Sequence, residues 1–138
     1  PIISPGFSGL WKIVSNDTRL VHMLLFENII NDRGSKYSVC GAPATTKTEA
    51  LVVLKELKKN KKYAKATHNT WAVLLKDVGP LKNDDGEAGA GMVIVRMLER
   101  DQIYDHVIIV TRWLGGTQLG GDRFRRVKDC VNYYLAQR

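Results

Sequence analysis

The sequence contains little cysteine and no long hydrophobic run. Of its 138 residues only Cys40 and Cys130 are cysteines, and neither stands in a CxxC spacing. This scarcity argues against a disulfide framework and fits a reducing compartment, with both thiols expected in the core. The longest apolar run has five residues, so we expect no membrane-spanning helix. Residues 1–10 lack the charged start and apolar stretch of a signal peptide, and a cytoplasmic location is predicted.

The motifs of common enzyme classes are also missing. The sequence has no GxSxG, HExxH or GxGxxG pattern. Gly115 and Gly120 have the spacing of a Walker phosphate loop, but Gly121 and Asp122 stand where that loop requires lysine and serine or threonine. We therefore expect no NTP hydrolysis, and these patterns assign neither a cofactor nor a metal.

The composition is that of one globular domain over residues 1–138, with residues 1–15 as a loosely attached N-terminal arm. Hydrophobic residues make up 44% and charged residues 25% of the chain, which excludes disorder and coiled coil as the main structure. The net charge of +7 favours an acidic partner such as RNA, a ribosome or an acidic protein face. The same charge is ordinary for a small soluble domain.

Residue periodicity and turn residues predict alternating strands and helices. A capping box at Thr46–Glu49 starts the first helix, which ends near residue 59. Further helices are predicted at residues 88–100 and 122–136, and strands at residues 10–14, 19–30, 36–42, 67–76 and 107–111. Residues 78–84 are predicted to form a loop. The order β-hairpin, α, β, α, β, α predicts an α/β (α+β) fold: a two-layer sandwich of a mixed sheet with helices on one face.

Residues 55–65 hold six lysines and one glutamate, the most concentrated charge in the chain. Lysines at the C-terminal end of a helix complement its dipole, so a solvated helix end is one interpretation. A surface for the phosphate backbone of a nucleic acid is the other, with Tyr63 as a stacking group.

Three acids in four residues, Asp84, Asp85 and Glu87, stand just before a predicted helix. Capping of that helix is the favoured interpretation, ahead of a Mg²⁺ site or an acidic docking edge. His68 is expected to make a hydrogen bond that fixes a loop.

Four motifs taken together resemble the Impact family, which comprises bacterial YigZ-like proteins and the eukaryotic translation regulator that gives the family its name. They are DRGSKY at 32–37, ATHN at 66–69, DDGEAGAG at 84–91 and VTRWLGGTQLG at 110–120. The resemblance covers residues 26–135. It implies a fold like that of domain 2 of ribosomal protein S5, and it implies no catalytic residues. The residues that match the family's signature are Asp32, Arg33, Ser35, Thr67, His68, Asn69, Asp84, Asp85, Gly86, Glu87, Gly89, Arg112, Gly115, Gly116, Leu119 and Gly120.

The resemblance also implies a link to translation control and the stress response. Eukaryotic members restrain the stress kinase that phosphorylates an initiation factor, by competing for its activator, and actin binding is associated with the family. YigZ relatives are suspected of contacting nucleic acid or ribosomes. In eukaryotic members this type of domain follows an RWD domain, for which a chain of 138 residues has no room.

The leading hypothesis is a non-enzymatic domain that binds RNA, a ribosome or a translation-control protein. The contacts would come from basic residues: Lys58, Lys59, Lys61, Lys62, Arg123, Arg125 and Arg126. A competing hypothesis is a Mg²⁺-dependent phosphate-ester enzyme, in which Asp84, Asp85, Glu87 and His68 converge in one cleft. A third is a purely protein-binding module for actin or the kinase activator.

Overall fold

The computed structural model describes residues 2–3, 10–16 and 19–138, with side chains from His22 onward. These residues form seven strands and four helices. They are β1 (Ile2–Ile3), β2 (Leu10–Asn16), β3 (Arg19–Asp32), β4 (Ser35–Pro43), α1 (Lys47–Lys58), α2 (Lys61–Ala64), β5 (His68–Leu75), β6 (Gly79–Asn83), α3 (Ala90–Arg100), β7 (His106–Trp113) and α4 (Asp122–Gln137). The predicted α+β fold class is confirmed.

The strands form one sheet in the order β1-β3-β4-β7-β5-β6, and β2 also pairs with β3. Every pairing among the described strands is antiparallel, so the predicted mixed sheet is wrong in this detail. β4 and β5 run in the same direction, as the two strands of a strand–helix–strand unit do. However, β7 lies between them and pairs antiparallel with both.

Helices cover both faces of the sheet, which corrects the predicted two layers to three. Side chains alternate along β3, so that Leu24 and Phe26 point to the face covered by α3 and α4. Met23 and Leu25 point to the opposite face, covered by α1 and α2. Both clusters are buried, which explains the nearly continuous apolar sequence of the central strands.

Local sequence signals account for most element boundaries. The Thr46 hydroxyl accepts a hydrogen bond from the Glu49 amide at 3.1 Å, which confirms the predicted cap. The Glu49 carboxylate also reaches back, and it accepts the amide of Thr45, the residue before the cap. The loop predicted at residues 78–84 is instead strand β6, which pairs with β5 at the edge of the sheet. Pro80 misled the prediction, because an edge strand tolerates a proline that a central strand does not.

The N-terminal segment joins the sheet where it is described. The backbones of β1 and β2 pair with β3. Residues 1, 4–9 and 17–18 lie outside the described residues, and so do the side chains before His22. The loosely attached arm over residues 1–15 stays a prediction.

The two cysteines lie in the core as expected, on opposite faces of the sheet. Cys40 belongs to the cluster under α1, and Cys130 to the cluster under α4. Within the described residues no helix has the length and apolar character to cross a membrane.

A buried histidine on β7 makes stability depend on pH. The His106 ring lies 2.7 Å from the Tyr134 hydroxyl, and the absence of a side chain at Gly41 leaves room for that phenol ring. Burial lowers the pKa of His106 to about 4, and the charge of Arg138 acts in the same direction. The unfolded chain, in which histidine titrates near 6.5, therefore binds more protons between about pH 6.5 and pH 4.

We expect the free energy of unfolding to fall by about 2 kcal/mol between pH 7 and pH 5. Urea titrations followed by tryptophan fluorescence at the two pH values measure this change. His22→Gln should keep the pH dependence, since His22 is exposed. His106→Gln should flatten it, and an unchanged slope in that variant would refute the assignment.

Candidate functional site

The four motifs come together at one end of the sheet. DRGSKY spans the turn between β3 and β4, ATHN leads into β5, DDGEAGAG precedes α3, and VTRWLGGTQLG ends β7 and continues toward α4. In the sheet, Arg112 of β7 stands between Tyr37 of β4 and His68 of β5. The antiparallel sheet thus places the end of β7 beside the starts of β4 and β5, which is why segments distant in sequence meet here.

The centre of this site is a buried ion pair between Arg112 and Glu87. Arg112 Nη1 donates to both Glu87 oxygens at 3.0 and 2.9 Å, and the side chains are 5% and 4% exposed. Arg112 Nη2 donates to the Ser35 hydroxyl at 3.2 Å, and the same oxygen accepts the Gly115 amide at 3.2 Å. Arg112 also lies over the Tyr37 ring. These hydrogen bonds offset part of the cost of burying the pair. They also join residues from three of the motifs.

The acidic motif mainly holds backbone in place. The Asp84 carboxylate accepts hydrogen bonds from the amides of Gly89 at 3.0 Å and Gly91 at 2.8 Å, which confirms the predicted cap on α3. Burial works to raise the pKa of Asp84, but these amides and Lys82 hold it below its usual value. Asp85 accepts the Asn69 amide at 2.7 Å.

His68 fixes the same loop, as expected. Its Nδ1 lies 2.8 Å from the Asp85 carbonyl oxygen, which can only accept, so Nδ1 carries the proton. Its Nε2 then faces Glu87, 3.8 Å from Oε2. Asn69 lies deeper and is held by the Tyr63 carbonyl and the Thr111 hydroxyl.

An open cleft of about 320 Å³ lies above the ion pair. His68, Glu87 and Arg112 form its floor, and the glycine-rich loop from Leu114 to Gly120 and Arg123 form its rim. The Leu114 amide donates to the Thr67 hydroxyl at 3.0 Å, which anchors the start of that loop. The four motifs therefore build one concave site.

Much of the predicted signature surface is interior. Six of its residues are buried: Asp32, Ser35, Asn69, Glu87, Arg112 and Leu119. The exposed members are mainly turn residues, among them Arg33, Gly116 and Gly120. The sequence motifs did not distinguish buried residues that support the site from exposed residues on its surface. Whether a strand residue is buried depends on the strands and helices that pack against it.

The predicted magnesium site is not assembled by these side chains. His68 and Glu87 do line one cleft, but the Asp84 and Asp85 carboxylates are bound to backbone amides. In the described part of the chain no group of three or more His, Cys, Asp or Glu side chains is arranged to hold a metal ion.

The four predicted lysines, Lys58, Lys59, Lys61 and Lys62, are all exposed around the junction of α1 and α2. Lys62 connects this lysine cluster to the site, since its Nζ lies 5.3 Å from the Trp113 ring beside the glycine-rich loop. Tyr63, predicted as a stacking group, is instead fully buried, and its hydroxyl donates to Glu27.

The three predicted arginines of α4 differ in accessibility. Arg125 is 71% exposed, Arg123 is 30% exposed and lines the cleft, and Arg126 is 5% exposed and paired with Asp129 at 3.3 Å. The prediction that Arg126 contacts a partner is therefore wrong. It lies one turn before Cys130 on the buried side of α4, and this spacing was the signal that sequence reasoning missed.

Sequence reasoning also missed two exposed or half-buried residues at the site. Trp113 is half-buried under Lys62, and Leu114 is 53% exposed at the rim of the cleft. The sequence signal for both was a pair of large apolar residues next to a glycine-rich turn. No predicted helix or strand packs over such residues, so they are expected at the surface.

Comparisons with known proteins agree with the motifs. The family described as "Impact N-terminal domain" matches residues 33–135. Protein IMPACT of Bos taurus is 34% identical over 118 residues, covering 79% of this chain and 36% of that protein. The chain thus spans about a third of the length of this curated relative.

Two solved structures are also similar. A crystal structure of a hypothetical protein has a TM-score of 0.70 and 22% identity, covering 78% of this chain and 55% of that chain, and shows a shared fold. Yih1, a two-domain translational regulator, has a TM-score of 0.49 and 27% identity, covering 78% of this chain and 44% of its own.

Proposed function

The chain belongs to the Impact family, and from this premise we propose that it is a non-enzymatic domain of translation control that binds an acidic partner. The observation that carries the proposal is the contrast between the two sets of charges. The acids of the signature are engaged by Arg112 and by backbone amides, whereas the lysine cluster is exposed beside the site. Such an arrangement supports docking, because the signature acids of the acidic motif are already engaged within the described protein.

The partner favoured by the lysine cluster is RNA, either alone or in a ribosome. Lys58, Lys59, Lys61 and Lys62 present positive charge within a stretch of five residues, and Lys59 and Lys62 are each near one carboxylate. Phosphate contacts by such lysines give affinity that falls steeply with salt. A cytoplasmic location is part of the same proposal.

Removing two of these charges should reduce both the affinity for RNA and its salt dependence. For Lys58→Gln/Lys61→Gln, we expect the slope of log affinity against log salt to become shallower by about 1.4, since each single-strand phosphate contact contributes about 0.7. Filter binding of a labelled single-stranded RNA between about 50 and 200 mM salt measures this slope.

The matched control is Lys76→Gln/Lys128→Gln, which removes the same charge from exposed positions outside the cluster. It should retain the wild-type slope. Equal losses in both double variants would show that only net charge matters. Absence of RNA binding at about 50 mM salt would reject RNA as the partner, and affinity capture that survives nuclease would assign an acidic protein instead.

A further inference from the structure

We propose that the cleft above the Arg112–Glu87 pair binds the phosphoryl group of a small ligand, such as inorganic phosphate or a nucleoside monophosphate. This site is separate from the lysine cluster, and it takes a different kind of ligand. Its volume of about 320 Å³ falls at the lower end of pockets that hold small molecules.

Positive charge exceeds negative charge in the cleft. Glu87 is its one carboxylate among the described lining residues, and it faces two guanidinium groups. Arg112 neutralises it directly, while Arg123 Nη1 lies 3.5 Å from Glu87 Oε2 and remains 30% exposed. The guanidinium of Arg123 is thus left with donors that reach the open side, and guanidinium groups match phosphoryl oxygens in geometry.

Arg112 itself retains an unused donor. Its Nε is buried and has no hydrogen-bond partner in the described part of the protein, although the residue is only 4% exposed. Buried polar groups without a partner are rare in folded proteins. A ligand in the cleft lined by Arg112 would supply an acceptor near this guanidinium.

The glycine-rich loop lines the same cleft and contains backbone amides that are not used within the described protein. Among the described residues, none accepts a hydrogen bond from the amides of Gly116, Thr117 or Gln118. The loop leads directly into α4, a helix of 16 residues. The first amides of α4, those of residues 122–124, donate to the carbonyls of residues 119–121, so this end of the helix contributes its dipole and no free amide.

Asp122 stands at the start of α4, where an acidic side chain would repel an anion. In the structure, Asp122 Oδ2 lies 2.7 Å from Arg33 Nη2, and Oδ1 lies 3.8 Å from Arg125 Nη1. These two guanidinium groups offset the charge of Asp122. Its repulsion of a phosphoryl group is therefore reduced by Arg33, which is distant in sequence, and by Arg125, one turn along the same helix.

The test is an NMR titration of the protein with inorganic phosphate and, separately, with AMP, both in the presence of EDTA. We expect the amide signals of residues 115–121 to shift in a saturable manner. Arg123→Gln should weaken binding about tenfold or more, as expected for loss of a charge-assisted hydrogen bond. Lys128→Gln, which removes one positive charge from an exposed position of the same helix outside the cleft, should bind like wild type.

Each outcome decides the proposal. If AMP binds more tightly than phosphate, the phosphoryl group recognised by the cleft belongs to a nucleotide. If the two bind equally, the cleft recognises free phosphate. Shifts confined to residues 58–62, or equal affinities in Arg123→Gln and wild type, overturn the proposal. Lys58→Gln/Lys61→Gln should bind phosphate normally, so failure of the lysine cluster to bind RNA leaves this result unaffected.

Discussion

Replacing Glu87 with alanine is expected to lower the free energy of unfolding by about 3–5 kcal/mol. The substitution leaves the Arg112 guanidinium charged and buried, with its two hydrogen bonds to the carboxylate lost. In its native position the charge has little contact with water, since the Arg112 side chain is 5% exposed. Urea unfolding followed by circular dichroism measures the loss.

The control is Glu99→Ala on the exposed side of α3, which should change stability by no more than about 0.5 kcal/mol. The double variant Glu87→Leu/Arg112→Met removes both charges and should recover most of the loss, because a buried pair can be replaced by apolar groups at little cost. If Glu87→Ala loses under about 1 kcal/mol, the side chain of Arg112 must escape to solvent, and the pair does not organise the site.

Gly115→Ala is expected to destabilise the protein by about 3 kcal/mol through overpacking. A Cβ atom at residue 115 would lie 2.7 Å from both Gly34 Cα and Ser35 N, and backbone at such distances must move. The Gly34 amide donates to Asn31 Oδ1 at 3.2 Å, so a shift of this turn away from residue 115 would strain that hydrogen bond. The strain would also separate the Gly115 amide from the Ser35 hydroxyl.

Gly116→Ala provides a neighbouring control. A Cβ atom at residue 116 would meet nothing within 4 Å, and the residue does not have positive φ. The free energy of unfolding of Gly116→Ala should equal that of wild type or exceed it by up to about 1 kcal/mol, because alanine restricts the unfolded chain. Thermal unfolding of the two variants side by side distinguishes the positions, and similar melting temperatures would contradict the close approach of the two loops.

Local signals were sufficient where a few adjacent residues determine the structure. The capping box at Thr46–Glu49 and the cap on α3 by Asp84 depend on residues within one or two turns. The hydrogen bond of His68 to its loop was also correctly predicted in kind, although the sequence did not identify Asp85 as the partner.

Features that depend on strand order were not predictable from a single sequence. The insertion of β7 between β4 and β5 brings Arg112 between Ser35 and Glu87, which are separated by about fifty residues. The continuous apolar sequence of residues 71–75 is typical of a strand covered on both faces, which does not fit the predicted single layer of helices. The conflict was the available evidence for a third layer.

The central position of β7 has a consequence for how the chain acquires its structure during synthesis. The β3–β4 and β5–β6 hairpins emerge first, and the inner edges of β4 and β5 then have no neighbour until His106–Trp113 is released. The two halves are therefore joined late, by contacts between residues far apart in sequence, which slows folding and exposes strand edges to other chains. A nascent chain that stops before β7 contains most of the strands but lacks the one that connects them.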